Sequence, residues 1–95
     1  MEELYFEWDE NKNKSNLEKH GIDFVQTKEV FADEIRIETI DSRINYGELR
    51  IKTIGKAGDL ILSVIFTKRN NAIRIISARA ASKKERNDYN DGSKQ

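Results

Sequence analysis

The chain has 95 residues, with 17 Lys or Arg and 17 Asp or Glu, so its formal net charge is zero. This length, with 37% hydrophobic residues, allows one hydrophobic core and excludes a second domain of ordinary size. The chain contains no cysteine, which excludes disulfides and thiolate metal sites. No signal-peptide core or apolar run of membrane-spanning length occurs, so the sequence predicts a cytoplasmic protein that does not enter a membrane.

The charges are distributed unevenly along the chain. Residues 1–40 carry five basic and eleven acidic side chains, whereas residues 41–95 carry twelve and six. Either two oppositely charged surfaces attract each other within one fold, or the basic half binds a polyanion and the acidic half maintains solubility. The densest basic segment, residues 68–86, has seven Lys or Arg and a single acid, Glu85.

The first predicted elements are a short strand and a helix. Leu4–Trp8 alternates apolar and polar residues as a strand does, Asp9 is a typical N-cap, and Gly21 is a typical helix stop. The helix between them has one aliphatic residue, Leu17, so it lacks an apolar stripe of its own. We expect it to pack through flanking apolar residues, namely Phe6, Trp8, Ile22 and Phe24.

A second helix and two strands follow. Asp23 is the expected N-cap of a short helix, whose inward residues are Phe24, Val30 and Phe31. Apolar residues then recur at every second position over Ile35–Glu38 and Leu49–Thr53, which indicates strands with one solvent-exposed face. Gly55 and Gly58 lie in the segment IGKAGD, which resembles a hairpin turn.

The last third of the chain predicts two more strands and a helix. Leu60–Thr67 is nearly all apolar, as in a central strand covered on both faces, and Lys68–Ala72 supplies turn residues before a strand over Ile73–Ala78. Ser82 and Glu85 form a capping-box pattern that begins a helix ending near Tyr89.

The predicted order is therefore β-α-α-β-β-β-β-α. Its short connections favour an antiparallel four- to five-stranded sheet with N-terminal helices and a C-terminal helix, an α+β fold. We expect residues 1–89 to form a single domain and residues 90–95 a polar tail.

Several kinds of catalytic site are unsupported by the sequence. One histidine and scattered acids show no paired metal-ligand spacing, so we predict neither a metal nor a cofactor. Cysteine is absent, His20 has no evident triad partners, and no glycine-rich phosphate loop is present.

Cations instead occupy positions where helix stability alone would not select them. Lys12 falls in the first turn of the first helix, where the helix dipole disfavours positive charge. Lys12, Asn16, Lys19 and His20 are spaced to share one helix face, which suits either phosphate and sugar contacts or a solvated surface. Lys83 and Lys84 lie in the first turn of the last helix, where exposed N–H groups would add to an anion site.

Two arginines lie on the last predicted strand. Arg74 and Arg79 fall on opposite faces by strand parity, unless the strand ends before Arg79. Arg74 must either pair with an acid, such as Glu48, or point out of the core, because an unpaired buried guanidinium is very costly.

Two blocks of sequence carry a family resemblance. FEWDENKNKSNLEKHGIDF, from Phe6 to Phe24, and RIISARAASKKERNDY, from Arg74 to Tyr89, together resemble the BrnT family of toxins from type II toxin–antitoxin modules. The matching positions are Trp8, Asp9, Lys12, Asn16, Lys19, His20, Gly21, Phe31, Gly47–Arg50, Gly55, Arg74, Ser77, Arg79, Ala81, Glu85, Arg86 and Tyr89.

The resemblance implies a RelE-like ribonuclease fold and an endoribonuclease that halts translation. It also implies neutralisation by a BrnA-type antitoxin, which is similar to ribbon-helix-helix proteins, so DNA would be contacted only through the toxin–antitoxin complex. The expected substrate is single-stranded or ribosome-bound RNA. A non-catalytic nucleic-acid-binding domain and a protein-interaction module are the alternative functions.

Metal-independent RNA cleavage would assign roles to these side chains. It requires deprotonation of the 2′-hydroxyl, stabilisation of the phosphorane charge and protonation of the 5′-oxygen. Arg79 is the first choice for stabilising the transition state, because its planar fork matches phosphate oxygens, and Arg50 and Arg69 are other candidates. His20 is either a proton-transfer group, a common role of histidine, or a cap at the end of its helix.

The remaining candidates have less specific signals. Lys12 and Lys19 are phosphate ligands or proton-transfer groups, Glu48 is a candidate base, and Tyr46 and Tyr89 are stacking or acid groups. The predicted RNA- and phosphate-binding set is Lys19, Arg69, Arg74, Lys83, Arg86 and Tyr46.

Overall fold

The computed structural model describes residues 4–41 and 47–93 of the chain. Its elements occur in the predicted order. They are β1 (Tyr5–Glu7), α1 (Glu10–His20), a 3₁₀ turn (Phe24–Thr27), α2 (Lys28–Ala32), β2 (Ile37–Asp41), β3 (Arg50–Ala57), β4 (Leu60–Arg69), β5 (Ala72–Ala80) and α3 (Lys83–Ser93). The α+β class is confirmed, and within the described residues no helix is long and apolar enough to span a membrane.

The five strands form one sheet in the order β1-β5-β4-β3-β2. Strands β2 to β5 are an antiparallel meander, as expected from their short connections. Strand β1, however, runs parallel to β5, with Tyr5 opposite Ala72 and Glu7 opposite Arg74. The sheet is therefore mixed, and the prediction of a purely antiparallel sheet was wrong, because alternation within a strand carries no information about its direction. The RelE-like arrangement stays a prediction.

Helix α1 begins and ends where its capping residues predict. The Asp9 carboxylate accepts from the backbone N–H of Asn11 at 2.8 Å and of Lys12 at 3.4 Å, and Gly21 adopts a φ of 72° at the C-cap. Leu17 is exposed. The expected packing of flanking apolar residues is confirmed at Ile22 and Phe24, which are buried.

Two buried asparagines provide attachments of α1 that the sequence did not predict. Asn13 accepts from the backbone N–H of Phe24 at 2.8 Å. The amide of Asn16 bonds both backbone groups of Ala78, donating to its carbonyl at 2.7 Å and accepting from its N–H at 3.0 Å. Asn16 also donates to the carbonyl of Ile22 at 3.0 Å. Asn16 therefore covers an edge of β5, and its assignment to a face of phosphate donors was wrong.

The main core lies between the sheet and the segment from the 3₁₀ turn to α2. The predicted inward residues Phe24, Val30 and Phe31 are all buried, and Phe31 packs edge-on against Phe66 with ring centroids 4.9 Å apart. Gly55 lies within β3 rather than in a turn, so that part of the prediction was wrong, and a Cβ at this position would lie only 2.9 Å from Cγ1 of Val30. The hairpin turn is confined to 58–59, where Gly58 has a φ of 60°.

Helix α3 packs on the opposite face of the sheet. Its capping box is formed as predicted, since the N–H of Glu85 donates to Ser82 Oγ at 3.2 Å and the N–H of Ser82 donates to Glu85 Oε1 at 2.8 Å. The helix continues to Ser93, beyond the predicted end at Tyr89. The boundary between a domain over 1–89 and a tail over 90–95 stays a prediction.

Tyr89 fixes this helix to the rest of the molecule. It is 5% exposed and belongs to a small apolar cluster, and its hydroxyl donates to Asp33 Oδ2 at 2.6 Å. A buried, hydrogen-bonded phenol is not available to stack on a base, so the assignment of Tyr89 to such a role was wrong.

We expect Tyr89→Phe to lower the free energy of unfolding by about 1–2 kcal/mol, because Asp33 loses a buried donor. Burial and the Asp33 carboxylate raise the pKa of Tyr89 from 10.0 to about 12. The hydroxyl therefore stabilises the fold fully below pH 10, and this contribution is lost as the pH rises towards 12. Urea titrations at several alkaline pH values should show a steeper loss of stability in the wild type than in Tyr89→Phe.

Candidate functional site

A β-bulge brings the two arginines of β5 to the same face of the sheet. Arg74 is opposite Thr67 of β4 and Arg79 is opposite Ser63, and these two β4 residues are four positions apart on one face. Arg74 and Arg79 are five positions apart, and the register shift leaves Ile76 as the extra residue. The prediction of opposite faces was therefore wrong, because a bulge changes the parity of a strand.

The face of the sheet on which α3 packs carries cations from three strands. Across β3, β4 and β5, the registered rows are Arg50–Thr67–Arg74, Lys52–Ile65–Ser77 and Ile54–Ser63–Arg79. Residues that are registered opposite each other project to one side of a sheet. Arg50, Lys52, Arg74 and Arg79 therefore belong to one basic surface, although they lie up to 29 positions apart in the chain.

Carboxylates pair with several of these cations. Arg74 Nη1 lies 3.1 Å from Glu7 Oε2, so its partner is Glu7 and not Glu48. Glu48 lies 3.5 Å from Arg50 Nε and 3.8 Å from Arg69 Nη2. Glu48 is thus an ion-pair partner of Arg50 and Arg69, the two other candidates for stabilising the transition state.

Glu85 is the centre of the most connected polar cluster. Its Oε1 accepts from Arg79 Nη1 at 2.7 Å, and its Oε2 accepts from Arg79 Nη2 at 3.0 Å and Lys52 Nζ at 2.9 Å. Ser63 Oγ lies 3.3 Å from the same Oε2, and the Glu85 side chain is only 8% exposed. The hydrogen bonds from Arg79 hold the pKa of Glu85 far below its ordinary value, although burial opposes this shift.

Sequence reasoning identified Glu85 as a capping residue alone. The signal that could have revealed more is its position as the single acid among the seven basic residues of segment 68–86. A buried carboxylate is stable only when it is paired, and the neighbouring chain supplies many cations.

We expect acid to destabilise the protein partly through Glu85. A carboxylate with a lowered pKa stabilises the fold fully above its unfolded value of 4.5, and this contribution is lost as the pH falls below it. The free energy of unfolding should therefore fall below pH 5, at up to about 1.4 kcal/mol per pH unit from this group. Urea titrations between pH 7 and pH 2.5 would test this, and Glu85→Gln should show a shallower fall. Parallel curves for the two proteins would contradict it.

An open cleft runs between α1 and β5. One part, of about 190 Å³, is lined by His20, Ser63, Ile65, Ser77, Ala78 and Arg79. The adjoining part, of about 410 Å³, is lined by Asn11, Lys12, Ser15, Asn16, Lys19, His20, Ile76 and Ser77. His20 and Ser77 line both parts, so the two parts form one site, named the α1–β5 cleft.

The α1–β5 cleft brings together four of the predicted site residues: Lys12, Lys19, His20 and Arg79. Over residues 4–41 and 47–93, Lys12 and Lys19 form no ion pair, so their charges are not neutralised by a contacting carboxylate there. An imidazole is a common proton-transfer group in enzymes, and the cations can bind phosphate oxygens. No group of three His, Cys, Asp or Glu in the described part of the chain could hold a metal ion.

Other predicted residues lie outside this cleft. Lys83 is exposed at the start of α3, and Arg86 Nη1 donates to the carbonyl of Ala81 at 2.8 Å. Tyr46 lies outside the described residues. A separate cavity of about 490 Å³, lined in part by Phe31, Phe66 and Lys68, contains none of the predicted site residues.

The family of the chain follows from its match to a family model. A family model described as the ribonuclease toxin BrnT of a type II toxin–antitoxin system matches residues 8–85. The chain belongs to the BrnT family. This confirms the resemblance seen in the two sequence blocks. No curated protein matches the chain.

Membership of the BrnT family defines the general activity of the protein. It is a ribonuclease toxin of a type II toxin–antitoxin system, so its substrate is RNA and an antitoxin is its partner. The matched region begins before α1 and ends at Glu85, so it contains every residue that lines the α1–β5 cleft. The basic residues of the cleft are therefore part of the region that defines the BrnT family.

Proposed function

We propose that this BrnT family member is a cytoplasmic endoribonuclease that cleaves RNA in the α1–β5 cleft without a metal ion. The observation that carries this proposal is that His20 and Arg79, residues 59 positions apart, line the same cavity. A histidine and an arginine in one cavity can provide proton transfer and charge stabilisation, both of which cleavage by the neighbouring 2′-hydroxyl requires.

In this mechanism His20 accepts the proton of the 2′-hydroxyl while the 2′-oxygen attacks phosphorus. The guanidinium of Arg79 stabilises the charge of the phosphorane, and the P–O5′ bond breaks to leave a 2′,3′-cyclic phosphate and a 5′-hydroxyl. Lys12, in the same cleft, provides the ammonium that protonates the departing 5′-oxygen, and Lys19 binds an adjacent phosphate.

The basic surface of the sheet extends the RNA site beyond the cleft. Arg50 and Arg74 lie in one registered row across β3, β4 and β5, and we propose that they bind the phosphates flanking the scissile one. Arg69, Lys83 and Arg86 would contact more distant phosphates. Glu48 would orient Arg50 and Arg69 through the ion pairs described above.

We further propose that cleavage inhibits translation, on free or ribosome-bound mRNA, and that a BrnA-like ribbon-helix-helix antitoxin neutralises the toxin. The support is the family, whose members belong to toxin–antitoxin systems. Expression alone should arrest growth, and co-expression with the neighbouring reading frame should restore it and yield a co-purifying complex.

Incubation of the purified protein with a long RNA in EDTA tests the chemistry. We expect fragments that end in 2′,3′-cyclic phosphate. Absence of cleavage both with and without ribosomes would refute the proposed endoribonuclease activity. Salt-dependent binding of RNA without cleavage products would favour a non-catalytic nucleic-acid-binding domain. If an acidic partner restores growth and the purified protein binds no RNA, a protein-interaction module would be favoured.

A further inference from the structure

We propose that Glu85 is a positioning residue that holds the guanidinium of Arg79 with two parallel N–H donors left for a phosphate of the RNA. This inference rests on the ribonuclease function proposed above. It assigns to a buried carboxylate a role beyond the capping of α3.

The hydrogen bonds of Arg79 identify the donors that remain for a ligand. A guanidinium has five N–H donors in a fixed plane. Arg79 Nη1 donates to Glu85 Oε1 and, at 3.2 Å, to the carbonyl of Ala80, and Nη2 donates once, to Glu85 Oε2. Over the described residues, nothing accepts from Nε or from the second N–H of Nη2. These two N–H groups are parallel on one edge, a geometry that matches two phosphate oxygens.

The side chain of Arg79 also remains accessible and charged in this arrangement. It is 41% exposed and lines the α1–β5 cleft, whereas its partner Glu85 is 8% exposed. Glu85 also binds Lys52, so a single negative charge is shared between two cations and the cluster keeps a net charge of plus one. The ion pair therefore orients Arg79 without removing the positive charge that attracts phosphate.

Glu85 is itself held independently of Arg79. The backbone N–H groups that it uses in the capping box fix its place in the first turn of α3. Helix capping also accepts glutamine at this position, because its amide oxygen can receive the same N–H. A glutamine, however, presents one NH₂ group where the carboxylate has a second acceptor oxygen, so it cannot accept from both Nη1 and Nη2 of Arg79.

Steady-state cleavage of an RNA oligonucleotide by Glu85→Gln separates the two roles. We expect kcat to fall roughly 10- to 100-fold, as for other residues that orient a functional side chain, with a smaller change in KM. The matched control is Ser82→Ala, which removes the other half of the capping box but does not contact Arg79. Ser82→Ala should keep the wild-type kcat, although the loss of a helix-capping hydrogen bond should lower the midpoint of its urea unfolding.

A double-mutant cycle tests whether Glu85 acts through Arg79. In an Arg79→Ala background, Glu85→Gln should cause no further loss of kcat. An equal loss in both backgrounds, or wild-type kcat for Glu85→Gln, would overturn this inference. If Glu85→Gln does not fold, Glu85→Asp, which keeps the charge but is one methylene shorter, carries the same expectations.

The results also separate this inference from the proposed function. Cleavage that requires Arg79 but not Glu85 would refute the positioning role alone. A wild-type protein that cleaves no RNA would refute the proposed function, and this inference with it.

Discussion

Arg79→Ala is expected to lower kcat for RNA cleavage by about 10²- to 10³-fold, because the scissile phosphate loses its main charged hydrogen-bond donors in the transition state. The fold should be retained, since Glu85 would still bind Lys52, Ser63 and the N–H of Ser82. Arg79→Lys keeps the charge but loses the planar guanidinium that can donate to two phosphate oxygens at once. Its kcat should therefore lie between those of the wild type and Arg79→Ala.

The matched control for this prediction is Lys84→Ala. Lys84 belongs to the same basic segment, but its side chain is 85% exposed and its contact is an exposed ion pair with Asp88 at 3.0 Å. Its removal should leave kcat unchanged. The measurement is the initial rate of cleavage of a fluorescent RNA oligonucleotide at saturating concentration. Equal rates for Arg79→Ala and the wild type would remove Arg79 from the mechanism.

Asn16→Ala is expected to lower the free energy of unfolding by about 3 kcal/mol or more. The substitution leaves the N–H and carbonyl of Ala78 and the carbonyl of Ile22 without the partner they have in the fold. Each buried backbone group that loses its partner costs about 1–3 kcal/mol, and nearby water can recover only part of this. Because Asn16 also attaches α1 to β5, the α1–β5 cleft should lose its shape, and cleavage should fall with stability.

Asn11→Ala is the matched control, since Asn11 is an exposed residue of the same helix. Its effect on stability should stay within about 0.5 kcal/mol. Urea unfolding followed by far-ultraviolet circular dichroism measures both variants. Similar midpoints for Asn16→Ala and Asn11→Ala would show that the three hydrogen bonds of Asn16 do not stabilise the fold.

Predictions based on short-range chemistry were the most accurate. Asp9 caps the start of α1 and Gly21 caps its end, as expected, and Ser82 caps the start of α3. Caps are predictable because they depend on residues within one turn of the helix. The end of α3 lies at Ser93 instead of near Tyr89, since the helix continues for about one more turn, through Gly92.

Predictions based on parity and side-chain type failed where distant segments meet. Asn16 and Ala78 are 62 positions apart, so nothing local distinguishes this asparagine from one that faces solvent. The bulge at Ile76 follows from the register of β5 against β4, and it alone places Arg74 and Arg79 on one face.

The sequence by itself determined the order of the elements, their caps and membership of the BrnT family, because these depend on residue types at fixed local spacing. Only the tertiary structure decided that His20 and Arg79 share a cleft, that β1 is parallel to β5 and that Glu85 binds two cations. These features depend on strand register and on contacts between residues far apart in the chain, which the local pattern does not encode.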